Sequence, residues 1–336
     1  MNEYPPIHLP GRPGGQRAWS LRRLVLALVL GSAGCAGPAP SPSASHAPAA
    51  ESPATPTGTD TPEAGDIDGL VVLSGGALSI GTPDGALAAI DGPGGQVAGL
   101  SAANGRIVAL TAGSAVAIAN VQRADAAIEW QPIELAATEV SHWITGPAIS
   151  PDGNLLAVAA TDPDLTASFR VVVIDLRNGD RGSQPFEPES NGPPIWIDRS
   201  SLLVEVVAIP GGTRFLRFDT ATRTVEPIRA DGFGPSISGD GSLLAVAATD
   251  GSVVAVPAAD WLAGKPQDEG AIVDATGHPF GLAVDGTGRR IAIGYADDAG
   301  DPASVAVFVR DGSGWRRSAT PVTIAPGTRT VLGWLR

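Results

Sequence analysis

Four histidines and one cysteine are all this 336-residue chain offers for imidazole or thiol chemistry. His8 and His46 fall in N-terminal stretches set aside below, which leaves His142 and His278. A metal centre needs His, Cys or carboxylate ligands at short, regular spacing, and acid–base catalysis needs an imidazole tuned by a neighbouring charge. Neither histidine stands in such a pattern. Both precede the opening strand of a repeated unit, so they are read either as one shared site on a common face or as two loop residues. Trp143, Trp196 and Trp334 lie in or beside the same opening strands. They are read either as an aromatic platform for a ligand or as packing between units. The acidic runs TDPD (161–164) and ADDAGD (296–301) offer oxygens, but neither places a ligand at every other position and closes on a glutamate, as a calcium loop does. No Gly-x-Ser-x-Gly elbow, P-loop or dinucleotide fingerprint is present. The expectation is therefore no catalytic residue, no metal and no cofactor, with His142, Trp143, Trp196 and His278 as candidates for a binding site.

The elements that would position these residues are written in a repeat. GPAISPDGNLLAVAATD (146–162) returns as GPSISGDGSLLAVAATD (234–250), sharing 14 of 17 letters at a spacing of 88. More diverged copies appear as LSAANGRIVALTAG (100–113), GPPIWIDRSSLLVEVVA (192–208) and GLAVDGTGRRIAIGYAD (281–297). The turn glycines Gly105, Gly153, Gly241 and Gly288 are separated by 48, 88 and 47 residues, which makes the unit roughly 40–50 residues long, the period of propeller blades. Each unit runs from a short strand through a polar turn, Gly-containing in all but the copy at 192–208, into an apolar strand rich in Leu, Val, Ile and Ala. A third strand follows, as in FRVVVIDL (169–176) and ASVAVFVR (303–310), and a polar turn leads to a fourth. Four antiparallel strands per unit make a propeller blade.

The ends of the chain complete the count. TVLGWLR (330–336) reads as a first strand with nothing after it, and GLVVLSGGALSIGTPDGALAAI (69–90) as later strands with no first strand before them. Joined, they form one blade from both termini and close the ring, removing open sheet edges. The predicted architecture is an all-β six-bladed β-propeller over 67–336, with units opening near 96, 140, 191, 232 and 276. Seven blades is the alternative if 91–139 holds an extra hairpin.

Upstream, Arg12, Arg17, Arg22 and Arg23 precede the short apolar run LVLALVL (24–30) and the small residues GSAG (31–34), a signal-peptide layout for 1–35. The stretch 36–66 is rich in Pro, Ala, Ser and Thr and cannot bury enough surface to offset the entropy of ordering it. It reads as a disordered tether which, if extended, reaches on the order of 90 Å. Without 1–35 the chain carries 18 basic against 34 acidic groups, a net charge of −16, which argues against nucleic acid as a partner. A single cysteine permits no disulfide within the chain.

Two resemblances follow from these residues. Ser32-Ala33-Gly34-Cys35 resembles the cleavage box of bacterial lipoprotein signal peptides, with Ser32 where that family prefers Leu. It implies lipidation of Cys35 and anchoring to the extracytoplasmic face of a bacterial membrane, the alternative being a plain secreted protein. Arg22-Arg23 also loosely resembles a twin-arginine signal, so the export route is open. ISPDGNLLAVAATD resembles the Ser-Pro-Asp-Gly motif of TolB-like and WD40-like (PD40-type) bacterial propellers, and ISGDGSLLAVAATD repeats it with Gly239 for proline. That motif shapes a turn, so the resemblance implies a fold and leaves function to be argued from sites. The expected protein is a monomeric, membrane-anchored scaffold of the cell envelope that binds a protein or a small ligand and is not an enzyme. The rival readings are a propeller enzyme of lactonase or lyase type with a site at the channel mouth, and a purely structural envelope protein.

Overall fold

A computed structural model describes residues 65–335 apart from 113–114, 122–126, 136–143, 162–168, 187–191, 209–211, 230, 266–269, 275–277, 297–301, 313, 319–321, 323 and 325–329. Met1–Thr57 and Gly58–Arg336 are separate compact units, and every described residue belongs to the second. The signal-peptide layout of 1–35 and most of the tether at 36–66 lie outside the described residues.

Six four-stranded antiparallel sheets form the ring. Blade 1 orders the C-terminal strand first, then β1 (Leu70–Ser74), β2 (Ala77–Gly81) and β3 (Leu87–Ile90). Blade 2 is β4 (Val97–Ala103), β5 (Arg106–Thr111), β6 (Val116–Asn120) and β7 (Trp130–Ile133). Blade 3 is β8 (Ile144–Ile149), β9 (Leu155–Thr161), β10 (Phe169–Asp175) and β11 (Arg181–Phe186). Blade 4 is β12 (Ile195–Trp196), β13 (Ser201–Ala208), β14 (Gly212–Asp219) and β15 (Val225–Ile228). Blade 5 is β16 (Phe233–Ile237), β17 (Leu243–Ala247), β18 (Val253–Pro257) and β19 (Ala271–Asp274), with the short helix α1 (Ala258–Leu262) before β19. Blade 6 is β20 (His278–Val284), β21 (Arg290–Ala296), β22 (Pro302–Asp311) and β23 (Gly314–Arg317), and β24 (Thr330–Trp334) completes blade 1 by pairing with β1. The inner strands β24, β4, β8, β12, β16 and β20 touch in cyclic order, so the ring is closed and has six blades.

The apolar second and third strands make sense in this setting. A blade is buried on both faces, so alternate residues of one strand feed the interfaces on either side and the strand reads as a continuous apolar run. Leu202, Val204 and Val206 of β13 join the core shared with blade 3, while Leu203 between them joins the core shared with blade 5. Six apolar clusters result, one per interface.

The repeated motif closes the turn between first and second strands. Ser150 Oγ donates to Asp152 Oδ1 (2.6 Å) and accepts the Leu155 N–H (2.9 Å), and Asp152 Oδ1 accepts the Asn154 N–H. Ser238, Asp240 and Ser242 repeat these bonds in blade 5. Gly153 and Gly241 take φ of +73° and +72°, where a side chain is disfavoured. Burial works to raise the Asp152 and Asp240 carboxyls, but the bonds from serine hydroxyls and backbone N–H groups outweigh it and hold both below the ordinary carboxylate range.

Candidate functional site

The ring has two unlike ends. The turn face carries the Ser-x-Asp-Gly turns, and the opposite, loop face carries the starts of the inner strands. Towards the turn face the inner strands are tied across blade boundaries. Ser101 Oγ of β4 accepts the Ile149 N–H of β8 (3.0 Å), and Trp196 of β12 donates its indole N–H to the Ala148 carbonyl of β8 (2.9 Å). The same pair of bonds recurs on the other side of the ring: Ser236 of β16 accepts from Val284 of β20 (3.0 Å), and Trp334 of β24 donates to Ala283 of β20 (2.9 Å). Blades 3 and 6 are thus each held from both sides, which pairs backbone groups at the inner edge of a sheet that has no further strand to bond them.

Towards the loop face four of the six inner strands, β4, β8, β16 and β20, lose regular pairing. Register shifts fall between Val97 and Gly99, Ile144 and Pro147, Phe233 and Ser236, and Pro279 and Gly281. A bulge adds a residue, bends the strand and re-aims its side chains. In blade 6 the bulge residue is Phe280, whose ring covers Gly294 so closely that a Cβ there would lie 2.4 Å from it. Phe233 at the start of β16 is 50% exposed, and His278 at the start of the adjoining β20 is exposed too. An aromatic ring and an imidazole at one rim can stack with and hydrogen-bond to a visitor. Nearby, the Tyr295 hydroxyl donates to Asp274, and burial, reinforced by that bond, pushes the phenol upward, so Tyr295 is a fixed donor that ties β21 to β19.

Of the candidates named from the sequence, His278 stands exposed at this rim. Trp196 is 5% exposed and spends its N–H on the neighbouring blade, following the packing alternative. His142, Trp143 and Cys35 lie outside the described residues, as does most of the two acidic runs. Among the described residues no three His, Cys, Asp or Glu side chains gather to hold a metal ion. The exposure of Phe233 depends on where a bulge falls, which its place in the sequence does not signal. Arg290 is a closing piece of the ring. Its side chain is 18% exposed, pairs with the buried Asp285 carboxylate at 2.9 Å and lies 4.4 Å over the Trp334 ring.

With this geometry, comparison with solved structures gives a likeness to TolB from Acinetobacter baumannii, at a TM-score of 0.55 and 13% identity over 80% of this chain and 67% of that one. The fold is shared with TolB. A beta-propeller domain of Cps50 (Swd1) from Myceliophteria thermophila aligns at a TM-score of 0.46 and 15% identity over 78% of this chain and 84% of that one. A puromycin-hydrolyzing peptidase of Mycobacterium tuberculosis aligns at 0.48 and 16%, over 74% of this chain and 41% of that one. No protein-family model and no curated protein matches the chain. The likeness to TolB is therefore one of architecture.

Proposed function

We propose that this protein is an exported, lipid-anchored propeller that binds a protein or a small ligand at the extracytoplasmic face of a bacterial membrane. The observation that carries the reading is the contrast between the two ends of the ring. The inner strands are tied on the turn-face side, while the loop-face rim is bulged and presents Phe233 and His278 to solvent. Rigid support under an exposed rim is how propellers and other scaffolds recognise partners. The described chain joins the ring at the turn face, where the Gly65 and Asp68 carbonyls accept from Arg290. Cys35 after Ser32-Ala33-Gly34 supports the anchor, and the acidic surface supports a partner other than nucleic acid.

The test is crosslinking in the native cell, purification of the tagged protein and mass spectrometry. A specific protein joined to loop-face residues, lost in a Phe233→Ala, His278→Ala double variant, is the expected result. Recovery of the protein alone, with no metabolite retained, speaks against the reading. In parallel, Cys35→Ala is expected to release the protein into the medium; retention in the membrane fraction removes the anchor.

A further inference from the structure

At the turn face the crevice between blades 3 and 4 opens into a cavity of about 220 Å³, floored by Leu155, Val173 and Phe218 and edged by Asp175, Asp180, Arg181 and Arg223. The crevice between blades 6 and 1 has the same plan. Trp196 pairs with Leu202, and Leu202 with Phe218. Likewise Trp334 pairs with Leu70, and continuing the β1–β2 register sets Gly81 opposite Leu70. Leu155 opens β9 opposite Asp175, as Arg290 opens β21 opposite Val309. Val173 lies opposite Ala157, as Val307 lies opposite Ala292.

The two crevices differ in what fills them. Between blades 6 and 1 the space is taken by the chain's own residues 65–69. Ile67 is fully buried, Arg290 donates to the carbonyls of Gly65 (3.3 Å) and Asp68 (2.7 Å), and Arg316 stands 3.9 Å from the buried Asp66 carboxylate. Gly81 accommodates this segment, because a Cβ there would fall 1.8 Å from the Ile67 carbonyl oxygen. Between blades 3 and 4 the equivalent space is open. Phe218 takes part of the room that Ile67 uses, and Leu155 replaces Arg290, so the floor is more apolar.

A cation is nonetheless kept at the edge. Asp175 is engaged by Arg177, Asp180 accepts from the Asn178 side-chain amide (2.8 Å), and Arg181 donates to the Glu134 carbonyl. Among the described residues Arg223 has no bonded partner, and its guanidinium lies 3.6 Å from where a Cβ on Gly182 would sit. Its backbone holds φ at +59°, a left-handed conformation that is disfavoured for a non-glycine residue. The Asp219 carboxylate fixes this turn by accepting the N–H groups of Ala221 (3.0 Å) and Thr222 (2.8 Å). The cavity is smaller than the roughly 300–1,000 Å³ of sites for drug-sized ligands, and suits a side chain or two.

We propose that the crevice between blades 3 and 4 is a docking slot for a short peptide segment of a partner chain, presenting an apolar side chain beside a carboxylate as Asp66-Ile67-Asp68 does between blades 6 and 1. The apolar side chain rests on Leu155, Val173 and Phe218, and the carboxylate meets Arg223. This stands apart from the loop-face rim and from export.

The probe is a fluorescein-labelled peptide of residues 63–70, Glu-Ala-Gly-Asp-Ile-Asp-Gly-Leu, carrying photoleucine at the isoleucine, irradiated with the full-length protein. The expected result is saturable labelling mapped to β9, β10 and β14. Labelling falls about tenfold in Arg223→Gln, and by as much for a peptide with both aspartates changed to asparagine, because one charge-assisted bond is lost. Arg223→Gln is expected to unfold with the wild type, and Phe233→Ala to label normally, which separates this slot from the rim. Absent or unsaturable labelling, equal labelling of Arg223→Gln, or adducts on β21, β22 and β2 from exchange with the chain's own segment each overturn the proposal.

Discussion

Blades 2, 3 and 4 and blades 5, 6 and 1 repeat one another along the channel, yet they treat the crevice behind their tryptophans differently. Ser101 and Trp196 hold blade 3 as Ser236 and Trp334 hold blade 6. Behind Trp334 a buried ion pair, a stacked arginine and residues 65–69 seal the seam where the two ends of the chain meet. Behind Trp196 there is no such closure: there β12 runs on into β13 as continuous chain, whereas β24 and β1 are joined within blade 1 only by strand pairing. The difference shows that the inner-strand ties belong to the ring as a whole, whereas the ion pair belongs to the place where covalent continuity is missing.

The sharpest way to break this comparison is Arg290→Ala against Leu155→Ala. Removing Arg290 leaves the Asp285 carboxylate, 2% exposed, without its cation, which is expected to cost about 3–5 kcal/mol. Leu155 is partly buried beside an open cavity, so its truncation is expected to fall below the ~2–5 kcal/mol of a fully buried leucine. Urea unfolding of both variants measures the gap, and equal losses would mean that the two seams are not energetically distinct.

The inner-strand ties give a smaller, matched effect. Trp196→Phe and Trp334→Phe keep an aromatic ring but leave the Ala148 and Ala283 carbonyls without their donor, for an expected loss of about 1–3 kcal/mol. Trp334→Phe is expected to cost the more, since phenyl offers Arg290 a weaker face than indole. Ser101→Ala and Ser236→Ala are expected to agree more closely with each other, because neither touches the sealed seam. Chemical denaturation of the four single variants checks the order.

The smallest effect concerns the two copies of the turn. Asp152 and Asp240 titrate below their ordinary value of 3.8 in the folded protein. Their contribution is therefore present above that value and lost as the pH falls through the depressed ones. An Asp152→Asn, Asp240→Asn variant keeps one acceptor oxygen at each position but not the charge, so its stability is expected to decline less between about pH 4 and pH 2. Parallel acid unfolding curves for the wild type and the variant would assign the acid sensitivity elsewhere.

Much of this architecture was legible beforehand because it is carried by local and periodic signals. The Ser-x-Asp-Gly turns depend on bonds within five residues, and the apolar second and third strands follow from burial on both blade faces. Closure through 330–336 and 69–90 could be read as well, since an unmatched first strand and an unmatched set of later strands have one way to pair. The candidate site was less legible. His278 could be named from its place before a strand, but Phe233 became visible only through the bulge between Phe233 and Ser236. Trp196 admits both a ligand platform and core packing from sequence, because an indole suits both, and only its neighbour in the next blade shows where its N–H goes.

By itself, then, the sequence determined the four-strand unit and the route by which the ends join, since both rest on spacing and pattern along the chain. Only the tertiary structure decided that the blades number six and not seven, that Arg290 is a half-buried closing residue, that one crevice is filled by residues 65–69, and that its counterpart is open. Those outcomes depend on groups more than 200 residues apart, Arg290 with Gly65 and Asp68, meeting across the ring's seam. No local pattern encodes the space left between two blades, because that space is set by which side chains arrive from both.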